Sequence, residues 1–487
     1  MLKRMYRAER GGILVFWAMS LSVLMGMIAL SFDLGRVAIV QTELQSFADS
    51  VALAAAGELD GRDDAIERAT RAADALISDR QTFGEGDRTL AGSADFTLTF
   101  HSALPASDTT AMAFQTTDPL TAVFVRVRAN DTTVQLTFGA ALAALTDTPL
   151  ADPRPGASAV AGFTQFACDI TPLLFCMPDP TFRAEENVGI MVRLRSGGNG
   201  AAWGPGNFGF IDSSSALVDP AGPCGGLSGV QRDACLTGAI GSITQCFSQR
   251  GVDTQPGQRN GIENAIFNVR FDIYTSIMNG RRQNPIYAPA PNVIKGIVPG
   301  GGGGGGGPQC LGGNVEISPD TAAVPRDTCF TNGNCDRFGN GEWSAGRANY
   351  VAINYDGIDP HPAAVTRFEY YQAEIAAAGG GGANTRILEA PRSETGRPMC
   401  SNQQSADPDR RVIIAAAIDC NAREIRGAET GVPVEEFVRI FLTEPVGQDG
   451  SSPPQVDIWG EIIGSAGGDS GGAGENGIFR DVVQLYR

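Results

Sequence analysis

Between Arg10 and Asp33 no side chain is charged, and this run constrains the chain more than any other feature. From Gly11 to Phe32 it holds Ile13, Leu14, Val15, Phe16, Trp17, Leu21, Val23, Leu24, Met25, Met27, Ile28 and Leu30. A bilayer core is about 30 Å thick and a helix rises about 1.5 Å per residue, so about 20 apolar residues span it. In lipid the backbone must satisfy its own hydrogen bonds, which leaves a helix as the form of a lone span. The flanks set the orientation. Lys3, Arg4, Arg7 and Arg10 crowd the arm 1–10 against a single Glu9. Basic residues stay on the cytoplasmic side, so the arm is expected inside and the bulk of the chain outside. A cleaved signal peptide is the competing reading. The apolar core of such a peptide is usually about 7–15 residues, shorter than this run, and Ala29-Leu30-Ser31 matches a small-residue cleavage site poorly. A retained single-span anchor over 11–32 is the expectation.

The formal net charge of −17 argues against nucleic acid as a partner, because phosphate binding requires clustered Lys and Arg. All ten cysteines follow residue 166: Cys168, Cys176, Cys224, Cys235, Cys246, Cys310, Cys329, Cys335, Cys400 and Cys420. An even count outside the cytoplasm reads as disulfides, and the simplest pairings are the short-range Cys168–Cys176, Cys329–Cys335 and Cys400–Cys420. A zinc site is disfavoured, since there is no Cys-x-x-Cys and the histidines are only His101 and His361.

Helical spacing continues past the anchor. Val37, Val40, Leu44, Phe47, Val51 and Ala54 recur every three or four residues, and Ala48, Ala52, Ala55 and Ala56 allow close approach of another element. One helix from Ile13 to Ala56 would be about 65 Å long. Its stripe can pack on the chain's own soluble part or on a partner helix; the first is the expectation, because most amphipathic stripes serve a local core.

The residues of this region resemble the TadG-like N-terminal domain of Tad (tight adherence, Flp pilus) assembly proteins. The marks are Glu9-Arg10-Gly11-Gly12, the apolar span, Asp33-Leu34-Gly35-Arg36, Leu44-Gln45, Ala48-Asp49 and the alanine-rich Val51–Ala56. The resemblance implies a bitopic component of the bacterial inner membrane, N-terminus cytoplasmic and bulk periplasmic, partnered by other Tad subunits. One feature departs from processed pilins, which carry a Glu five residues after the cleaved Gly. That position is Phe16 or Trp17 here, so neither processing nor incorporation as a pilin subunit is expected.

A helix is expected over Asp63–Ser78, then strands where Phe96, Leu98 and Phe100, and later Val123, Val125 and Val127, alternate with more polar residues. A short helix over Leu136–Leu145 and a strand over Ser158–Phe166 complete an α+β unit, 33–166. The remainder, 167–487, is rich in Cys and Gly. It is expected to contain strands at Val188–Leu194, Arg411–Ile418, Val434–Leu442, Val456–Ile463 and Phe479–Tyr486, and helices at Gly226–Gly238, Gly261–Met278 and Phe368–Ala378. Trp203–Asp212, Phe441–Val446 and Val482–Arg487 resemble segments of longer TadG-related proteins. The overall expectation is an α+β chain: one transmembrane helix continuing into a long periplasmic helix, then a disulfide-containing ectodomain with glycine-rich loops.

No residue set earns a catalytic, cofactor or metal assignment. Gly-x-Ser-x-Gly and His-Glu-x-x-His are absent from the sequence. Gly300–Gly307 lacks the Gly-Lys-Ser/Thr that ends a phosphate loop and reads as a surface insertion, as does Gly379–Gly382. Asp212-Ser213-Ser214-Ser215 is similar to the Asp-x-Ser-x-Ser metal site that some TadG-like proteins carry, but Ala216 stands where the last hydroxyl is needed, so a solvated turn is expected. His361 lies in a proline-bracketed loop, and Glu435-Glu436 reads as a solvated strand start. The sequence therefore points to a structural and interaction protein of Tad assembly. A membrane-anchored adhesin or sensor is the alternative, and an enzyme is not expected.

Overall fold

The computed structural model describes residues 11–76, 78–82, 88–105, 107, 110–146, 151–197, 201–239, 245–248, 251–255, 262–291, 296–299, 315–318, 320–379, 388, 400–448, 455–468 and 478–486. The expected Gly300–Gly307 loop and most of Gly379–Gly382 lie outside these residues. The fold is α+β, in two compact units: residues 1–164 with 481–487, and residues 165–480.

The first unit is built on α1 (Gly11–Ala56), unbroken as its spacing requires. After it come α2 (Ala65–Leu76), β1 (Ser78–Gln81), β2 (Arg88–Ala91), β3 (Phe96–His101), β4 (Phe124–Ala129), α3 (Thr137–Thr146) and β5 (Ala157–Cys168). The helix expected to reach Ser78 ends at Leu76, because Ser78 already pairs with Ala91 in the β1–β2 hairpin. β4 lies between β3 and β5, antiparallel to both. The alternation read from the sequence sets which face is buried. Val125, Val127 and Ala129 of β4, with Ala157, Ala159 and Ala161 of β5, join Val40, Leu44, Phe47, Ala48, Val51, Ala52, Ala55 and Ala56 of α1 in one core. Burying each large apolar side chain of that stripe contributes about 1.5–3 kcal/mol. The stripe thus packs on the protein's own sheet. The alanine faces let the helix approach β5 closely enough for Gln41 to donate to the Gly156 carbonyl at 2.9 Å.

The second unit contains β6 (Leu173–Cys176), β7 (Met191–Ser196), β8 (Asn207–Ile211), β9 (Leu217–Val218), α4 (Gly229–Gly238), β10 (Gln245–Ser248), β11 (Thr254–Gln255), α5 (Glu263–Asn268), β12 (Ile297–Pro299) and β13 (Val315–Ile317). There follow α6 (Thr328–Thr331), α7 (Ser344–Asn354), α8 (Arg367–Ala377), β14 (Val412–Ile418), α9 (Cys420–Arg423), β15 (Glu436–Leu442), β16 (Gly447–Gln448) and β17 (Val456–Gly468), and then β18 (Phe479–Leu485), whose residues from Asp481 on belong to the first unit. Pairing runs β8–β6–β14–β15–β17–β7, and β7 returns to β8 through Arg195↔Asn207 and Ser196↔Phe208, so six strands close into a ring. Residues of one parity on each strand, among them Phe175, Leu194, Phe208, Ile413, Ile440 and Ile458, share a single core with α4 and α5. The last strand, β18, carries the chain back to the first unit. There Leu485 packs against the α1 core and the Tyr486 N–H reaches the Val160 carbonyl at 2.8 Å.

Several expectations in this unit are corrected. The helix read over Gly261–Met278 stops at Asn268, and Asp272 turns left-handed at φ 61°. The Asp272 carboxylate there accepts the Cys400 and Ser401 N–H groups, a bond that a continuing helix would not allow. The strand read over Val188–Leu194 begins only at Met191, after a short 3-10 turn over Ala184–Asn187. Of the three short-range disulfides, Cys329–Cys335 is present. The other two are wrong. Cys168 stands directly opposite Cys246 across β5 and β10 and bonds it. Cys176 ends β6 beside the parallel β14 and bonds Cys420, just past the end of β14. Cys224 bonds Cys235, and Cys400 is also disulfide-bonded.

Candidate functional site at the base of the first helix

Asp33, Arg36 and Gln45, three of the residues that carried the family resemblance, each bond an element packed against α1. Asp33 is 4% exposed, although it follows an uncharged run. Its carboxylate accepts the Phe138 N–H at 3.1 Å and the Gly139 N–H at 2.8 Å, capping the first turn of α3. These amides have no partner inside α3, and the positive end of a helix favours an anion. One turn along, Arg36 donates to the Thr137 hydroxyl. Phe32 meets Phe138 edge to face at 5.5 Å. Gln45 donates to Asp49 at 2.8 Å and to the Ser158 carbonyl at 3.2 Å, fixing the helix on β5. The Asp-x-Gly-Arg and Leu-Gln marks are therefore a clamp. It ties the α1 segment just past the apolar run to α3 and to the sheet.

Below the clamp α1 is bare. Leu14, Phe16, Trp17, Leu21, Leu24 and Met25 are each about half exposed or more. Among the described residues, one helix is long and apolar enough to cross a membrane, Leu14–Ala56, with mean hydropathy 2.0 in its most apolar window. Phe16 and Trp17, each 68% exposed, are on that surface.

The family model described as "Putative Flp pilus-assembly TadE/G-like" matches residues 11–58. This part of the chain is similar to the TadE/G-like domain. The match takes in the apolar run, the clamp residues of α1 and the stripe buried on β4 and β5. It stops two residues past α1, so the similarity is confined to this helix and the turn after it. No curated protein matches the chain. No solved structure matches it.

The other residues that the sequence singled out lie elsewhere. His101 is buried in β3, with Nδ1 2.8 Å from the Ala113 carbonyl and Nε2 3.0 Å from the Thr99 hydroxyl. His361 packs edge to face on Tyr355 and Tyr370. In the Asp212–Ser215 turn Asp212 accepts the Ser214 N–H, but Ser213 is buried and donates to Asp233, so the turn is not wholly solvated. Glu436 is a correction: it is 5% exposed and accepts the Ala184 N–H at 2.9 Å. Among the described residues no group of three His, Cys, Asp or Glu side chains is placed to hold a metal ion.

Two cavities are lined by described residues of the second unit. One, of about 320 Å³, is lined by Arg193, Arg326, Phe330, Glu444, Asp457 and Trp459. Its charges are used internally. Asp457 accepts from Arg193 and Arg195, and Arg326 pairs with Glu444 while stacking 3.7 Å over Trp459. The other, of about 210 Å³, is lined in part by Thr237, Arg270 and Arg410. Burial pushes the Arg270 guanidinium well below its ordinary pKa and that of Arg410 down to about 10. Both donate to carbonyls at the end of α4: Arg270 to Thr237, and Arg410 to Gly238. A cation suits that negative helix end, so the pair reads as a cap. Neither lining contains a histidine.

Proposed function

We propose that the protein is a membrane-anchored structural and interaction component of a Tad/Flp pilus-assembly system, without catalytic activity of its own. On this reading residues 1–10 are a cytoplasmic arm, 11–32 the span, 33–166 the remainder of the anchor helix with its α+β unit, and 167–487 a periplasmic region. The anchor sits in the inner membrane, and the disulfides belong to an oxidising periplasm. The mechanism is positional. The clamp at Asp33 and the packed stripe of α1 hold the soluble unit close to the bilayer, where it meets neighbouring Tad subunits. The observation that carries the reading is the TadE/G-like match on a helix whose first half is apolar and bare and whose second half is buried in its own sheet. The alternative, an adhesin or sensor on the same anchor, is separated from it by deletion. Loss of surface fibres supports assembly, whereas intact fibres with lost attachment support adhesion and overturn the assembly reading.

A further inference from the structure

We propose that α3 is a second membrane contact, a short helix lying in the polar–apolar boundary of the bilayer that α1 crosses. The proposal rests on the anchor reading above. Over its whole length, Thr137 to Thr146, α3 has no charged residue, and the neighbouring charges are Asp131 before it and Asp147 after it. Its described residues take no part in the core of its unit. Phe138 is 45% exposed, and Ala140 and Ala141 are exposed as well. A helix that is apolar all round is stable only when something apolar covers it. At ten residues it is about 15 Å long, too short to cross a bilayer but long enough to lie in its boundary.

The clamp identifies what covers it. The first turn of α3 is held at Asp33, the first charged residue after the uncharged run, by the Phe138 and Gly139 amides. Phe138 also touches Phe32, the last residue of that run. The apolar surface of α3 is therefore continuous with the lipid-facing surface of α1, at the depth where the helix leaves the hydrocarbon. Lipid is the occupant at that depth. Interfacial helices usually add a basic face that attracts anionic headgroups. α3 has none, so its contact is apolar and indifferent to salt and to headgroup charge.

The test places a benzoylphenylalanine photo-crosslinker at single positions of the full chain in its native membranes, with adducts read by mass spectrometry. Position 138 tolerates the larger ring because Phe138 is half exposed. Position 17 reports the span. Position 71, where the charged Arg71 is exposed on α2, reports background. Lipid adducts at 138 within a few-fold of those at 17, at least tenfold above those at 71 and unchanged in high salt, are the expected result. Adducts at 138 to a second copy or to another polypeptide, or lipid adducts no greater than at 71, overturn the proposal while position 17 leaves the anchor intact. Absence of lipid at 17 as well overturns both.

Discussion

Asp33 and Arg367 show how single side chains hold this molecule. Asp33 satisfies two amides at the start of α3, and an N-terminal cap of this type is worth about 0.5–2 kcal/mol. Asp33→Ala should therefore leave the sheet of the first unit intact while raising amide hydrogen exchange in α3 roughly tenfold; equal exchange would show that the cap is idle. Arg367 is fully buried between Asp327 and Glu461, at 2.5 and 2.9 Å, and also bonds the Pro325 and Gly189 carbonyls. Arg367→Met strands two buried carboxylates and should cost about 3–5 kcal/mol in denaturant unfolding, with a loss below about 1 kcal/mol contradicting the account. Asp359 gives a pH dependence. Burial alone would raise its carboxyl, but the His361 N–H, the Arg347 guanidinium and the Tyr370 hydroxyl hold it below the ordinary value. A lowered pKa means that folding favours the ionised form. Its stabilisation is therefore present above about pH 3.9 and is lost as pH falls through the lower folded value. Thermal unfolding of Asp359→Asn should show a shallower drop than the unaltered protein as pH falls from about 4 to 3, and parallel curves would refute the assignment. Apart from the local bond from the His361 N–H to Asp359, none of these partnerships is legible in the sequence, because each joins residues that the fold brings together. Only the position of Asp33 at the end of the uncharged run hints at a role.

At the scale of elements, strong periodicity is legible and tertiary interruptions are not. The spacing of Val40, Leu44, Phe47 and Val51 marks α1 and its buried face, and the alternation around Val125 and Val127 marks β4. The apolar run Val412–Ile418 is a strand of the ring, paired on both sides with β6 and β15. The stripe over Gly261–Met278 is also apolar, and Ala265, Ile266, Val269 and Ile273 are indeed buried, yet the backbone breaks at Asp272. Periodicity reports which residues turn inward; it does not report a carboxylate claimed by amides from a segment over a hundred residues away. The same limit applies to the disulfides. Nearness in sequence predicts Cys329–Cys335, while strand register decides Cys168–Cys246 and Cys176–Cys420.

For the whole molecule, the Cys176–Cys420 bond spans 244 residues and joins the ends of neighbouring ring strands β6 and β14. Loss of a native disulfide typically costs about 2–5 kcal/mol. The double variant Cys176→Ser, Cys420→Ser should unfold at a clearly lower denaturant midpoint, with a slope no smaller than that of the unaltered protein because the uncross-linked denatured chain is more expanded; an unchanged midpoint would show that the ring needs no clasp. The fold class and the anchor are legible because hydropathy and periodicity are local. The closed ring is not, because it depends on which distant strands pair.

The central claim is that the bare half of α1 stays in the bilayer and carries both units outward. Protease added to spheroplasts, before and after carbonate extraction of their membranes, tests it directly. The account predicts a polypeptide that resists carbonate and is digested from outside down to a short membrane-embedded N-terminal fragment. A chain released by carbonate, or one protected until the inner membrane is lysed, would contradict it.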